Sequence, residues 1–198
     1  MQNWATFDRF LGAIEVGDDE VTEALVGALT REHETSLLAL PNDDDTERKW
    51  WAARALAHCG GSLSVSLLAG QMTAADASLR GAVLLALAHL HGRQPDSVLP
   101  IFPGMAVALA DDDGLVRQTA ADALAICGDD AVETLAGVLS GSQDGSRVRA
   151  ASALRRIATM KSAGVLFRYL NDSNYLVRTY AYEGLDEMGL LDNVIVTL

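Results

Sequence analysis

Apolar positions along the chain fall at helical spacing, and the spacing itself recurs. Each recurrence begins at a basic residue: Lys49, Arg80, Arg117, Arg147 and Arg178. Three positions on stand Ala52, Val83, Ala120, Ala150 and Ala181. Seven on stand Leu56, Leu87, Leu124, Leu154 and Leu185, and ten on stand Cys59, Leu90, Cys127, Ile157 and Met188. Offsets of three, seven and ten draw one apolar stripe along a helix. Gly60, Gly128 and Gly189 follow at offset eleven, where a helix commonly ends in a left-handed residue. A second apolar stretch follows each stripe, over 62–72, 96–110, 130–140, 161–170 and 190–198. Aspartates open the units at Asp43 to Asp45, Asp76, Asp111 to Asp113, Asp144 and Asp172, positions suited to capping orphan amides.

The pattern predicts about five helical hairpins of about 31 residues over 43–198. One hairpin cannot bury its own stripe, so neighbours must stack. The expected fold is therefore an all-α solenoid, an α-α superhelix in one domain over 1–198. The 37 residues from Arg80 to Arg117 break the period. Pro95 can start a helix there, whereas Pro100 and Pro103 must kink or shorten one, so a bend or a change of binding face is expected.

Residues 1–42 read as a divergent N-terminal helical cap. Its first helix carries Trp4, Phe7, Leu11 and Ile14. A second, roughly 18–30, carries Val21, Leu25, Ala28 and Leu29, and a third, roughly 32–40, ends in Leu37, Leu38 and Leu40. At the other end LLDNVIVTL is apolar throughout. It is either an incomplete last hairpin or an edge that docks on a partner or a second copy of the chain.

Composition supports helix over sheet. The hydrophobic fraction of 49% is carried largely by alanine, and aromatics are only 6%, too few for a large sheet. No run is long enough to span a membrane, and the first residues lack a signal-peptide pattern. Two cysteines make no disulfide framework, which implies a reducing cytoplasm. The formal net charge of −12 repels phosphate backbones and anionic lipid. Nucleic acid and membrane surfaces are therefore disfavoured as partners, and the charge either favours a basic protein segment or merely keeps an alanine-rich chain in solution.

The string Val116-Arg117-Gln118-Thr119-Ala120-Ala121-Asp122-Ala123-Leu124, closed by Gly128, resembles the HEAT-like repeat named for the phycobilisome lyases. The resemblance covers roughly 43–189 and implies an α-solenoid. Proteins with such repeats or similar architecture include bilin lyases, hydroxylases, alkylpurine DNA glycosylases and many adaptors, so fold alone does not choose a function.

The residues that look chemical fall back into the repeat. Cys59 and Cys127 occupy offset ten and read as small buried hydrophobes. His58 and His89 share offset nine, with His91 close by, but no acid repeats beside them to complete a metal site. His33-Glu34 is a single pair, where hydroxylases related to deoxyhypusine hydroxylase need several. The aspartate triplets lack calcium-loop spacing, and the basic anchors are expected to pair with capping aspartates of their own or the next repeat. The sequence thus assigns no catalytic residue, metal ligand or cofactor.

The aromatics stand apart. Trp50 sits at offset one, where Gln118 and Thr179 stand, and either faces solvent as a contact or packs under the cap. Phe167, Tyr169, Tyr175, Tyr180 and Tyr182 crowd the last repeats. Tyr182 takes offset four, which Ala53, Ala121 and Ala151 fill elsewhere. Arg168 and Tyr169 align with Gly137 and Val138 on a second helix, the kind that lines the concave face. Trp50, Arg168, Tyr169, Tyr175 and Tyr182 are therefore the candidate partner-binding residues. The first functional reading is a non-catalytic scaffold or adaptor holding a partner protein. The resemblance implies the alternative, a bilin lyase-like protein that handles a tetrapyrrole; His58-Cys59 is similar to a His-Cys pair of one isomerising branch.

Overall fold

The computed structural model describes residues 2–40 and 45–191, with no strand among them. Residues 43, 44 and 192–198 of the expected caps and apolar edge lie outside the described residues.

The N-terminal cap comprises α1 (Gln2–Val16), α2 (Asp19–Val26) and α3 (Glu34–Ala39), the last entered through a 3₁₀ turn over Arg31–His33. Phe7, Phe10, Ala13 and Ile14 form the buried face of α1. Leu11 is only half-buried and Trp4 stands largely exposed, edge-on to Phe7 and His33. On α2 and its exit the core residues are Thr22, Leu25, Val26 and Leu29; Val21 and Ala28 face outward.

The hairpins follow. Helix α4 (Thr46–Cys59) returns through α5 (Ser62–Gln71), and α6 (Ala77–His91) through α7 (Pro95–Val98). Then come α8 (Phe102–Val107), the pair α9 (Gly114–Ile126) and α10 (Val132–Leu139), the pair α11 (Asp144–Ile157) and α12 (Met160–Phe167), and α13 (Tyr175–Glu187). As the prolines predict, the return of the second hairpin is broken, with 3₁₀ turns over Leu99–Ile101 and Ala108–Ala110. Pro100 and Pro103 each lack an amide hydrogen that a continuous helix would need.

The chain divides within that segment into two compact units, Met1–Ile101 and Phe102–Leu198. In the first, α4 packs on α6 while α3, α5 and α7 form a second layer, and α1 and α2 cover α4. In the second, α9, α11 and α13 stack over a layer of α8, α10 and α12. Each unit is a two-layer stack of hairpins, the local arrangement of an all-α solenoid. The offset-seven leucines are buried in both, and alanines such as Ala55, Ala86, Ala123 and Ala153 let the first helices approach closely.

Helix starts show the expected chemistry with two changes. The amides of Glu47 and Arg48 donate to Asp45 Oδ1 (2.9 and 3.3 Å), Leu79 N to Asp76 Oδ1 (2.8 Å), and Leu115 N to Asp113 Oδ1 (2.8 Å). Asp144, however, is already the first residue of α11, behind Gln143. The cap of α13 is Asn174, and Asp172 instead accepts the Asn174 amide at 2.8 Å.

The arginine anchors depart further from expectation. Arg80 Nη1 donates to the carbonyls of Ala74 and Ala75 (2.8 and 3.0 Å), and Arg117 Nη1 to those of Asp111 and Asp112 (2.7 and 2.9 Å). Arg178 Nη1 donates to those of Asp172 and Ser173 (2.6 and 3.0 Å). Each guanidinium thus clamps the backbone of the loop entering its own helix, where its donor fork reaches two successive carbonyls. Arg147 is different: it reaches the Asp172 carboxylate of the next repeat.

The glycines at offset eleven also divide. Gly128 and Gly189 are left-handed (φ +62° and +69°), as is Ala158 at the same offset (φ +51°). Gly60 is extended (φ −69°, ψ 162°). Its glycine is required by space: a Cβ there would stand 2.5 Å from the Leu56 carbonyl oxygen and 2.6 Å from Ser64 Oγ.

That close approach belongs to a buried polar cluster. Glu34 Oε1 accepts the Gly61 amide (2.6 Å) and the Ser64 hydroxyl (2.7 Å). Burial, the largest single influence, pushes its carboxyl up; bonds from Ser64 and Gly61 and the Arg31 charge together outweigh it and hold it below 4.5. Stability from Glu34 is therefore present above pH 4.5 and is lost as pH falls through the depressed folded value. Glu34→Gln is expected to cost about 1–3 kcal/mol at pH 7 by leaving buried donors badly matched. In melting followed by circular dichroism, the gap to the parent protein should narrow between pH 7 and pH 3.5. A constant gap would show that the carboxylate's charge is irrelevant.

Candidate partner-binding groove

The second turn of α4 places two adjacent tryptophans on different sides of its apolar stripe. Trp51 is 5% exposed and belongs to the core. Trp50 is half-buried and meets Trp51 edge-on, with ring centroids 4.9 Å apart. Both line a groove of about 760 Å³ with Asp19, Glu20 and Glu23 of α2, Glu47 of α4 and the α6 cap Asp76. Trp50 is thus neither a free-standing contact nor hidden under the cap.

All of these acids but Glu23 stand at a helix N-terminus, where the partial positive charge favours them. Asp76 caps α6, and Glu23 pairs with Arg54. Three such termini supply only about half a charge each and Arg54 offsets Glu23, so the five carboxylates still leave the groove negative. A cation can lie against a tryptophan face and a carboxylate at once.

Trp50 also lines a neighbouring groove of about 540 Å³ whose charge is reversed. Arg54 and His58 follow Trp50 along α4 at every fourth residue, and Leu85 and His89 face them from α6. Arg93 completes it, donating from Nη2 to the Ala57 carbonyl at 2.6 Å. In the second unit a groove of about 610 Å³ runs between α8 and α10, lined by Val107, Gly137 and Val138 among others.

No family model matches the chain, and no curated protein matches it. Among solved structures it is similar to a designed armadillo repeat protein in complex with the peptide (KR)4. That likeness has a TM-score of 0.51 at 14% identity, over 90% of this chain and 98% of that one. The fold is that of a helical-repeat protein. An engineered protein (TM-score 0.47, 21% identity, 86% and 91% covered) and a second designed armadillo repeat protein (0.47, 14%, 90% and 98%) are more distant in shape.

The other sequence candidates of this helical-repeat chain lie in its second unit. Helix α12 begins at a capping box between Thr159 and Ser162 and ends at Phe167. Arg168 therefore closes the helix and Tyr169 lies in the turn beyond, off the helical face expected for them. Tyr175 and Tyr182 are 68% and 53% exposed. Tyr175 lies beneath the Arg178 guanidinium (5.8 Å), and no ring contact joins it to Tyr169 or Tyr182 among the described residues.

Cys127 is buried, as its repeat position predicts, whereas Cys59 is only partly buried. Burial, then the Glu34 charge, pushes the Cys59 thiol up to about 11; burial, then Asp130, pushes Cys127 up to about 12. Such thiols stay protonated at neutral pH and are poor nucleophiles. His33 stacks on Phe7, with its Nδ1 accepting the Thr30 amide, while Glu34 turns to Gly61 and Ser64. The His33-Glu34 pair thus does not converge on a shared ion. Among the described residues no three metal-ligating side chains cluster, and no helix is long and apolar enough to cross a membrane.

Of the acids around Trp50 only Asp76 stands out in the sequence, as a cap; Asp19, Glu20, Glu23 and Glu47 lie within helices, and only folding brings them beside the ring. Their signal was the Trp-Trp pair beside an acidic first turn.

Proposed function

We propose that the chain is a non-catalytic interaction scaffold of HEAT-like hairpins that holds a basic segment of a partner protein in the acidic tryptophan groove. The observation that carries this is the conjunction of Trp50 and Trp51 with five carboxylates from three helices. A lysine or arginine there gains a cation–π contact of about 0.5–2 kcal/mol, besides its attraction to the carboxylates. The net charge of −12 adds steering at a distance. A neighbour of the same fold is in complex with the peptide (KR)4, which agrees with this choice of partner; the case rests on this chain's own residues. In this reading the exposed Tyr175 and Tyr182, with Arg168 and Tyr169, form a separate contact in the second unit. The tetrapyrrole alternative rests on the repeat resemblance and the His58-Cys59 pair, without a comparable conjunction of residues.

Calorimetric titration with an arginine-rich peptide tests the reading. Binding should weaken as salt rises. Trp50→Ala should reduce affinity about tenfold, a loss of about 1.4 kcal/mol, with little change in melting temperature. Affinity unmoved by both salt and Trp50→Ala would sink the proposal.

A further inference from the structure

The acidic groove does not end at Trp50. The same ring lines the neighbouring stretch, in which Arg54, His58, His89 and Arg93 replace the carboxylates. None of these four stands at a repeat anchor, so the clamp on the entering loop does not account for them. Cations near helix C-termini do complement the helix dipole. Yet α9 and α13 end without any basic residue in the last turn, so the fold does not demand one there. Arg93 spends one donor on the Ala57 carbonyl and keeps others. Leu85, partly exposed, adds an apolar spot to the same groove. The Arg54–Glu23 ion pair joins the two stretches, with one partner lining each.

From this continuity and charge reversal we infer that the occupant of the first unit's groove is a bipolar segment, a cationic side chain followed at fixed distance by a carboxylate. The inference rests on the scaffold reading and deepens it. The spacing follows from α4. Trp50 and Glu47 precede His58 by eight and eleven residues, or about 12–16 Å along a helix. An extended peptide covers that in four or five residues at about 3.3 Å each. The cation lies against Trp50 among the carboxylates of α2 and α4; the anion accepts bonds from the imidazoles and the Arg93 guanidinium.

Calorimetry on the full chain with blocked peptides separates the possibilities. One peptide carries two arginines, a Gly-Ser-Gly spacer and two glutamates. A second reverses the order, and a third has glutamines for glutamates. One of the two bipolar orders should bind about tenfold more tightly than the glutamine peptide. The double variant His58→Gln/His89→Gln, altered only at exposed side chains, should lose most of that advantage and keep its affinity for the glutamine peptide. Equal binding of bipolar and glutamine peptides would overturn the inference and leave the scaffold reading standing. An advantage that survives in the double variant would also overturn it, because the anion would then sit elsewhere. Binding of none of the three would remove both.

Discussion

Replacing Arg147 by alanine is expected to destabilise the protein by about 3–5 kcal/mol, the range for stranding one partner of a buried ion pair. The Arg147 side chain is 11% exposed and that of Asp172 9%. Arg147 Nε donates to the Leu139 carbonyl (3.0 Å), Nη1 to Asp144 (2.9 Å) and Nη2 to Asp172. It therefore ties the start of α11 both to the end of α10 and to the loop that enters α13. Alanine would leave the Asp172 carboxylate secluded with the Asn174 amide as its remaining side-chain-level support. Arg178→Ala, at the same repeat position, removes bonds to two neutral carbonyls and should cost less, about 1.5–3 kcal/mol. Replacing Arg147 and Asp172 together by apolar residues of similar volume should recover much of the loss, because no unpaired charge then remains. Urea midpoints give the ranking, and faster amide exchange in α13 would localise the damage. Equal losses for Arg147→Ala and Arg178→Ala would show that the carboxylate adds nothing.

The contrast between those two arginines also marks what the sequence could disclose. The leucine stripe, the aspartate caps at 45, 76 and 113 and the break at Pro100 and Pro103 follow from local rules, and local rules are legible in one dimension. The targets of the anchors are not. A side-chain pattern shows Arg117 near three aspartates and suggests carboxylates, while the acceptors are backbone carbonyls that every residue carries. Gly60 was legible as a helix end but not as a close approach, because the Ser64 it accommodates belongs to the next helix. The groove divides in the same way. Trp50 stood out as a large ring where Gln118 and Thr179 stand. Its acidic neighbours come from helices spread between Asp19 and Asp76, and only folding brings them together. Arg168 and Tyr169 fall outside the helix because α12 starts at the Thr159–Ser162 box and stops at Phe167, whereas Gly137 and Val138, with which they align, lie inside α10.

Leu124→Ala should destabilise the second unit by about 2–5 kcal/mol. Leu124 is wholly buried in α9, which packs against α8 on one side and α11 on the other. In a stack stabilised mainly by nearest-neighbour interfaces, a cavity in a helix that serves two of them weakens both. For a chain of this size each kcal/mol corresponds to roughly 2–4 °C in melting temperature, so the loss is well within reach of a thermal melt. Leu115 on the same helix provides the control. It is 67% exposed, and Leu115→Ala should stay within about 0.5 kcal/mol of the parent. The two leucines share residue type and helix, so transfer of equal apolar mass cannot separate them; only the face does. The offset-seven stripe is therefore the core if Leu124→Ala alone collapses the melting temperature, and it is not the core if the two substitutions cost the same.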